Sequence, residues 1–132
     1  MTKGLLDTSV VIALDDDDEL WRKLPSEVAI SVATLAELHF GISLARSATV
    51  RLQRLQRLGA IEAGMQALPI DEKVARAYGA LAAAVLASGR KARGRVMDLW
   101  IAATASVARV PLYTRNGADF RGLESFVRVH EV

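Results

Sequence analysis

The chain has 132 residues and 14.3 kDa, enough for a single domain over residues 1–132 with one core and too little for two. Its 52% hydrophobic and 24% charged residues exclude a disordered or collagen-like chain, and its 0 Cys exclude disulfide scaffolds and thiolate sites, so a metal would have to sit on oxygen or histidine. The formal net charge of +2 conceals a gradient: residues 1–44 carry 3 basic and 8 acidic side chains, residues 45–132 carry 14 and 7.

In chain order, Lys3-Gly4-Leu5-Leu6-Asp7 reads as a short buried strand ending in an acid, with Thr8-Ser9 as a cap before a helix over Val10–Leu14. The run Asp15 to Glu19 reads as a solvated helix end and loop, because stacked like charges stay hydrated. Pro25 ends a second short helix, Glu27–Ile30 forms a second strand, and Ser31 or Thr34 caps a helix through Leu35, Glu37, Leu38, Phe40 and Leu44. From Ser47 to about Gln66, Val50, Leu52, Leu55, Leu58 and Ile61 recur at helical spacing. Leu44, Val50, Leu52 and Leu55 are read as core residues, with an apolar docking surface as the second reading, and Arg51, Arg54 and Arg57 as one solvated face. Ala67–Ile70 makes a third strand, and Asp71 opens an Ala-rich helix that stops at Ser88-Gly89. A helix over Met97–Ala108, a strand over Val110–Thr114, a turn at Asn116-Gly117 and a last strand over Phe126–Val129 complete the chain.

Short apolar strands alternating with helices predict an α/β/α sandwich around a mainly parallel sheet of about four or five strands, with ligands bound outside the carboxyl ends of the strands. The longest uncharged stretch, Ala77 to Gly89, has 13 residues. That is short of the roughly 20 needed to cross a bilayer, and nothing reads as a signal peptide, so a soluble cytoplasmic protein is expected.

Four acids interrupt this pattern. Asp7 stands at the carboxyl end of the first strand. Glu37 shares a helix face with Phe40, Gly41 and Leu44, and Asp98 shares one with Ile101, Ala102 and Ala105, as the single charge between Val96 and Val107. Asp119 lies five residues past Thr114, itself at a strand end. A carboxylate removed from water needs a partner, and four brought to one sheet edge repel one another by roughly 4 kcal/mol per pair at about 4 Å in an effective dielectric near 20. The segments that hold them supply Lys3 and Arg115 as near neighbours, too few to balance four charges, whereas Mg²⁺ or Mn²⁺ prefers hard oxygen ligands. Each acid also has an ordinary structural reading: a helix cap for Asp7, a snorkelling surface acid for Glu37, a turn cap for Asp119. Asp98 alone resists one.

The four blocks Leu5-Leu6-Asp7-Thr8-Ser9, Thr34-Leu35-Ala36-Glu37-Leu38-His39-Phe40-Gly41, Asp98-Leu99-Trp100-Ile101-Ala102-Ala103-Thr104-Ala105 and Leu112-Tyr113-Thr114-Arg115-Asn116-Gly117-Ala118-Asp119-Phe120, in this order, resemble those of the PIN-domain nucleases, and especially the VapC toxins of bacterial toxin–antitoxin pairs. The resemblance spans nearly the whole chain. It implies a Mg²⁺- or Mn²⁺-dependent endoribonuclease in which Asp7, Glu37, Asp98 and Asp119 form the metal-holding cluster, with Thr114 among them and Thr8 or Asn116 in support. It also implies a homodimer and a VapB-like antitoxin as partner. The basic segment Arg90 to Arg95 precedes Asp98, and Arg93 and Arg95 are candidates for contacting the RNA backbone.

Other chemistries built on an aspartate at a strand end fit less well. A haloacid-dehalogenase-type phosphatase needs a second acid two residues after the first, where this chain has Ser9; a receiver domain needs a late Lys, and none follows Lys91; no Walker-type glycine loop is present. The surviving alternatives are a non-catalytic RNA-binding module on the same scaffold and a PIN nuclease of RNA processing without an antitoxin. Trp21, Trp100, His39 and His130 read as core or surface residues.

Overall fold

The computed structural model describes residues 2–132. Five strands form one parallel sheet in the order β3-β2-β1-β4-β5: β1 Lys3–Leu6, β2 Glu27–Ser31, β3 Gln66–Leu68, β4 Leu112–Thr114 and β5 Val129–Glu131. The helices are α1 Thr8–Ala13, α2 Val32–Ser43, α3 Ala48–Gly64, α4 Glu72–Ala87 and α5 Val96–Ala108, with 3-10 turns at Leu20–Lys23 and Gly117–Phe120. Successive residues of a strand face opposite sides of a sheet, and β1 displays this directly. Leu5 packs into apolar residues of α4 and α5 and Leu6 into those of α1, α2 and α3, both fully buried, so the sheet divides the single core expected into two clusters, one on each face. A strand covered on both faces reads as a continuous apolar run, which is why Gly4-Leu5-Leu6 carries no alternation.

Three strands depart from their expected bounds by two residues or more, each for a backbone reason. β3 closes at Leu68 instead of reaching Ile70, because Pro69 has no N–H to offer the ladder. β4 starts at Leu112, just past Pro111. The last strand is Val129–Glu131 where Phe126–Val129 is expected: the N–H groups of Phe126 and Val127 both donate to Leu123 O, at 2.9 and 3.1 Å, so the chain is still turning there. Pairing resumes when Leu112 N–H reaches Arg128 O at 2.8 Å.

The α2–α3 pair overturns two expectations. Leu44, Leu52 and Leu55 are not core: they are 58%, 56% and 47% exposed, and only Leu58 and Ile61 of α3 are buried. Helical spacing marks a shared face but says nothing about whether another element covers it. Nor are Arg54 and Arg57 a solvated face. The Arg54 guanidinium donates to Gly41 O on α2, and Arg57 Nη1 donates to Asp15 Oδ2 at 3.1 Å, so both act as clamps that tie α3 to its neighbours. Among the described residues no helix is long and apolar enough to cross a membrane.

Gly4 has no room for a side chain. A Cβ there would come within 2.5 Å of Tyr113 Cε1 and 2.8 Å of Pro25 Cγ, and the Tyr113 ring is stacked on His130 with centroids 5.1 Å apart. Gly4→Ala is expected to lower stability by about 2 kcal/mol through overpacking. The effect should appear as a lower urea midpoint with an unchanged slope; an unchanged midpoint would mean that the ring yields freely.

Candidate active site

The strand order reverses between β1 and β4. After β1 the chain lays down β2 and β3 on one side, then returns to place β4 and β5 on the other, and a crevice opens where the direction switches. Asp7 follows β1 at this point, with its N–H donating to Tyr113 O at 2.8 Å. It occupies the cap position of α1, but its side chain makes no capping bond, so the helix-cap reading fails. Instead Oδ2 accepts from Thr114 Oγ1 and Ser9 Oγ, both at 2.7 Å, with Asp7 and Thr114 buried. Two hydroxyls hold one oxygen of the carboxylate, and these bonds leave Oδ1 unused.

Glu37 arrives from the other side of β1. Ser31 ends β2 and caps α2 by accepting from Ala33 N–H at 3.1 Å, which places Glu37 in the second turn. The face it shares with Phe40 and Leu44 is not the core face expected, because those residues are 65% and 58% exposed. What draws Glu37 inward is Thr8, whose Oγ1 donates to Glu37 Oε1 at 2.6 Å and lies 3.0 Å from the Oγ1 of buried Thr34.

Asp98 lies in the first turn of α5, above Ile101, Ala102 and Ala105, all fully buried as their spacing predicts. Its pKa is raised to about 6, chiefly by burial and then by the charges of Asp7, Asp119 and Glu37, against a smaller opposing pull from Arg95. Asp119 stands on the 3-10 turn Gly117–Phe120, more exposed than the others. That turn is held from outside: Arg95 Nη1 donates to Asp119 O at 2.5 Å, Arg90 Nη1 to Ala118 O at 3.3 Å, and Gly117 N–H to Glu131 Oε1 at 2.6 Å. Asn116 presents its N–H to Thr114 Oγ1 at 3.0 Å, while Arg93 is exposed. His39 turns to Glu62, 3.8 Å away.

The structure thus brings Asp7 together with Thr114 and Ser9 in one hydrogen-bonded group and Glu37 with Thr8 and Thr34 in a second, joined through the Asp7-Thr8 backbone, and sets Asp98 within electrostatic reach of Asp7, Glu37 and Asp119. Ser9, Thr34 and Glu131 are participants that sequence reasoning missed. For Ser9 a signal existed, a second hydroxyl directly after Asp7-Thr8; for Glu131, 14 residues past Gly117, there was none.

The donor set is all oxygen, which suits a hard divalent ion and not a thiophilic one. Among the described residues no three acidic or histidine side chains converge tightly enough to grip an ion as they stand. Asp98 nevertheless feels the other three as like charges, and that repulsion is what a cation would relieve. The residues fit the group.

A family model for the PIN domain matches residues 4–124. The chain belongs to the PIN-domain family. Over 127 residues, 96% of this PIN domain and 91% of the relative, it is 41% identical to Ribonuclease VapC5 of Mycobacterium tuberculosis strain H37Rv. It is also 36% identical over 104 residues to Ribonuclease VapC8 of the same species, covering 79% of this chain and 91% of that one. Among solved structures, VapBC-5 of M. tuberculosis, a member of the VapBC family of toxin–antitoxin systems, superposes with a TM-score of 0.83 at 39% identity, covering 100% of this chain and 98% of that one. FitAcB from Neisseria gonorrhoeae does so with a TM-score of 0.81 at 27% identity, covering 97% and 96%.

Proposed function

We propose that this PIN domain is a metal-dependent endoribonuclease, the toxin of a toxin–antitoxin pair, which works in the cytoplasm as a homodimer and is held inactive by a VapB-like antitoxin. The observation that carries the reading is the half-buried Asp98, whose carboxyl is raised to about 6 partly by Asp7, Asp119 and Glu37. Four acids concentrated beside a strand-order switch suit a divalent ion and a phosphodiester.

Asp7, Glu37, Asp98 and Asp119 would hold Mg²⁺ or Mn²⁺. When bound, the ion supplies Lewis acidity for hydrolysis of the phosphodiester. The rest of the work falls to the chain. Thr114 and Ser9 fix the Asp7 carboxylate, Thr8 fixes that of Glu37, and the Asn116 N–H orients the Thr114 hydroxyl so that its proton is free for Asp7. Arg93 offers a cation to the RNA backbone, and Arg95, already bonded to Asp119 O, adds its charge beside Asp98. The exposed Phe40, Leu44, Leu52 and Leu55 supply apolar surface for a protein partner.

Purified protein incubated with total RNA should cleave it in Mg²⁺ or Mn²⁺, stop in EDTA and recover when the metal is restored. Asp7→Asn should lower the rate by a factor on the order of a hundred or more. Cleavage that persists both in EDTA and in Asp7→Asn would belong to a contaminant and remove the ground for this reading.

A further inference from the structure

The cations that border the acids are unevenly employed. In the layer containing α4 and α5, Arg90 and Arg95 spend hydrogen bonds on the carbonyls of Ala118 and Asp119. In the opposite layer, which contains α1, Arg115 follows Thr114 directly at the carboxyl end of β4. Its backbone is tied to the site, since its N–H donates to Ser9 Oγ at 3.1 Å and the same oxygen lies 2.7 Å from Asp7 Oδ2. Its guanidinium is not: Nη1 stands 3.8 Å from Asp17 Oδ2, in a pair whose side chains remain 39% and 38% exposed. An ion pair so long and so wet contributes little and exchanges readily, whereas a phosphate offers a guanidinium shorter, bidentate bonds.

We propose that Arg115 is a substrate-binding residue that grips an RNA phosphate at the α1 rim of the acid cluster, and that Asp17 holds it in reserve until RNA arrives. The assignment rests on the ribonuclease reading above. The anchored backbone sets where the side chain starts, and the loose pair leaves its charged end free to move. A strand of RNA crossing the carboxyl edge of the sheet then meets Arg93 in one layer and Arg115 in the other, with the acids between. Asp17, in the run Asp15 to Glu19, would otherwise only repel a polyanion; paired with Arg115, it keeps that cation off the neighbouring carboxylates.

The test measures binding of a fluorescent, mixed-sequence, single-stranded oligoribonucleotide to the full chain in Ca²⁺, as a function of NaCl concentration. Arg115→Ala should weaken binding about fivefold and reduce the salt slope by about 0.7, the loss of one phosphate contact, while Arg115→Lys keeps the slope. Asp17→Asn should tighten binding about twofold to threefold in the wild-type background and distinctly less in the Arg115→Ala background, where only the removal of a repelling charge remains. An unchanged slope in Arg115→Ala, or equal tightening by Asp17→Asn in both backgrounds, overturns the proposal for Arg115 alone. If the wild-type chain binds no RNA, the ribonuclease reading falls and takes Arg115 with it.

Discussion

Asp98→Asn is expected to cut RNA cleavage on the order of a thousandfold while making the metal-free protein more stable at neutral pH. Both effects have one cause. Burial and the charges of Asp7, Asp119 and Glu37 raise the Asp98 carboxyl from 3.8 to about 6, so the fold disfavours its ionised form. The stability contributed by the protonated group is fully present below about pH 3.8 and is lost as pH rises through about 6. At pH 7.5 the wild-type protein carries the whole cost. Asp98 is only half-buried, so after discounting for solvent screening the amide should recover about 1 kcal/mol, or roughly 3 °C in Tm. The gain should vanish at pH 4, where the wild-type carboxyl is itself mostly protonated. Added Mg²⁺ or Mn²⁺ should raise the Tm of wild type and leave Asp98→Asn nearly unmoved, and metal affinity of the wild type should fall as pH drops through about 6. A variant that keeps its activity, or that melts lower than wild type at pH 7.5 without metal, would contradict the placement of this charge at the centre of the cluster.

Phe120→Ala should produce the largest loss of stability, about 3 to 4 kcal/mol, since a fully buried aromatic ring is deleted from a packed core. Phe120 is buried in the core on the α4–α5 side of the sheet, and it anchors the 3-10 turn that carries Asp119. Arg95 and Glu131 hold the turn's backbone from outside, but neither replaces the ring. The variant should therefore also bind metal less tightly, by a factor on the order of ten, if Asp119 is a ligand. Phe120→Leu, which refills most of the volume, should recover the greater part of both quantities. Urea denaturation and a metal titration followed by Tm measure the two effects; a tenfold loss of metal affinity in Phe120→Leu, with stability restored, would separate Asp119 from its anchor.

The family and the strand–helix alternation were legible because they depend on short-range spacing. Asp98 above Ile101, Ala102 and Ala105 lies on a buried face because one helix contains all four, and its charge stands out for the same reason. Asp7 at the end of Leu5-Leu6 is another local fact. Glu37 stands out in the sequence for a reason the structure overturns: its apolar neighbours Phe40 and Leu44 face outward, and its hydrogen-bond partner, Thr8, is 29 positions away. The end of the chain misled in a similar way. Phe126 and Val127 have the composition of a strand, but hydrogen bonds to Leu123 keep them in a turn.

Periodicity within one helix or strand placed the acids on their elements, because side-chain direction repeats with the local backbone. It had no means of seeing across elements. That Thr114 meets Asp7 across 107 positions, that Arg54 and Arg57 turn inward as clamps, and that Leu52 and Leu55 stay uncovered depend on which strands pair and which faces another layer reaches. Those outcomes follow from the β3-β2-β1-β4-β5 order, which brings distant segments together and is written in no single stretch of residues.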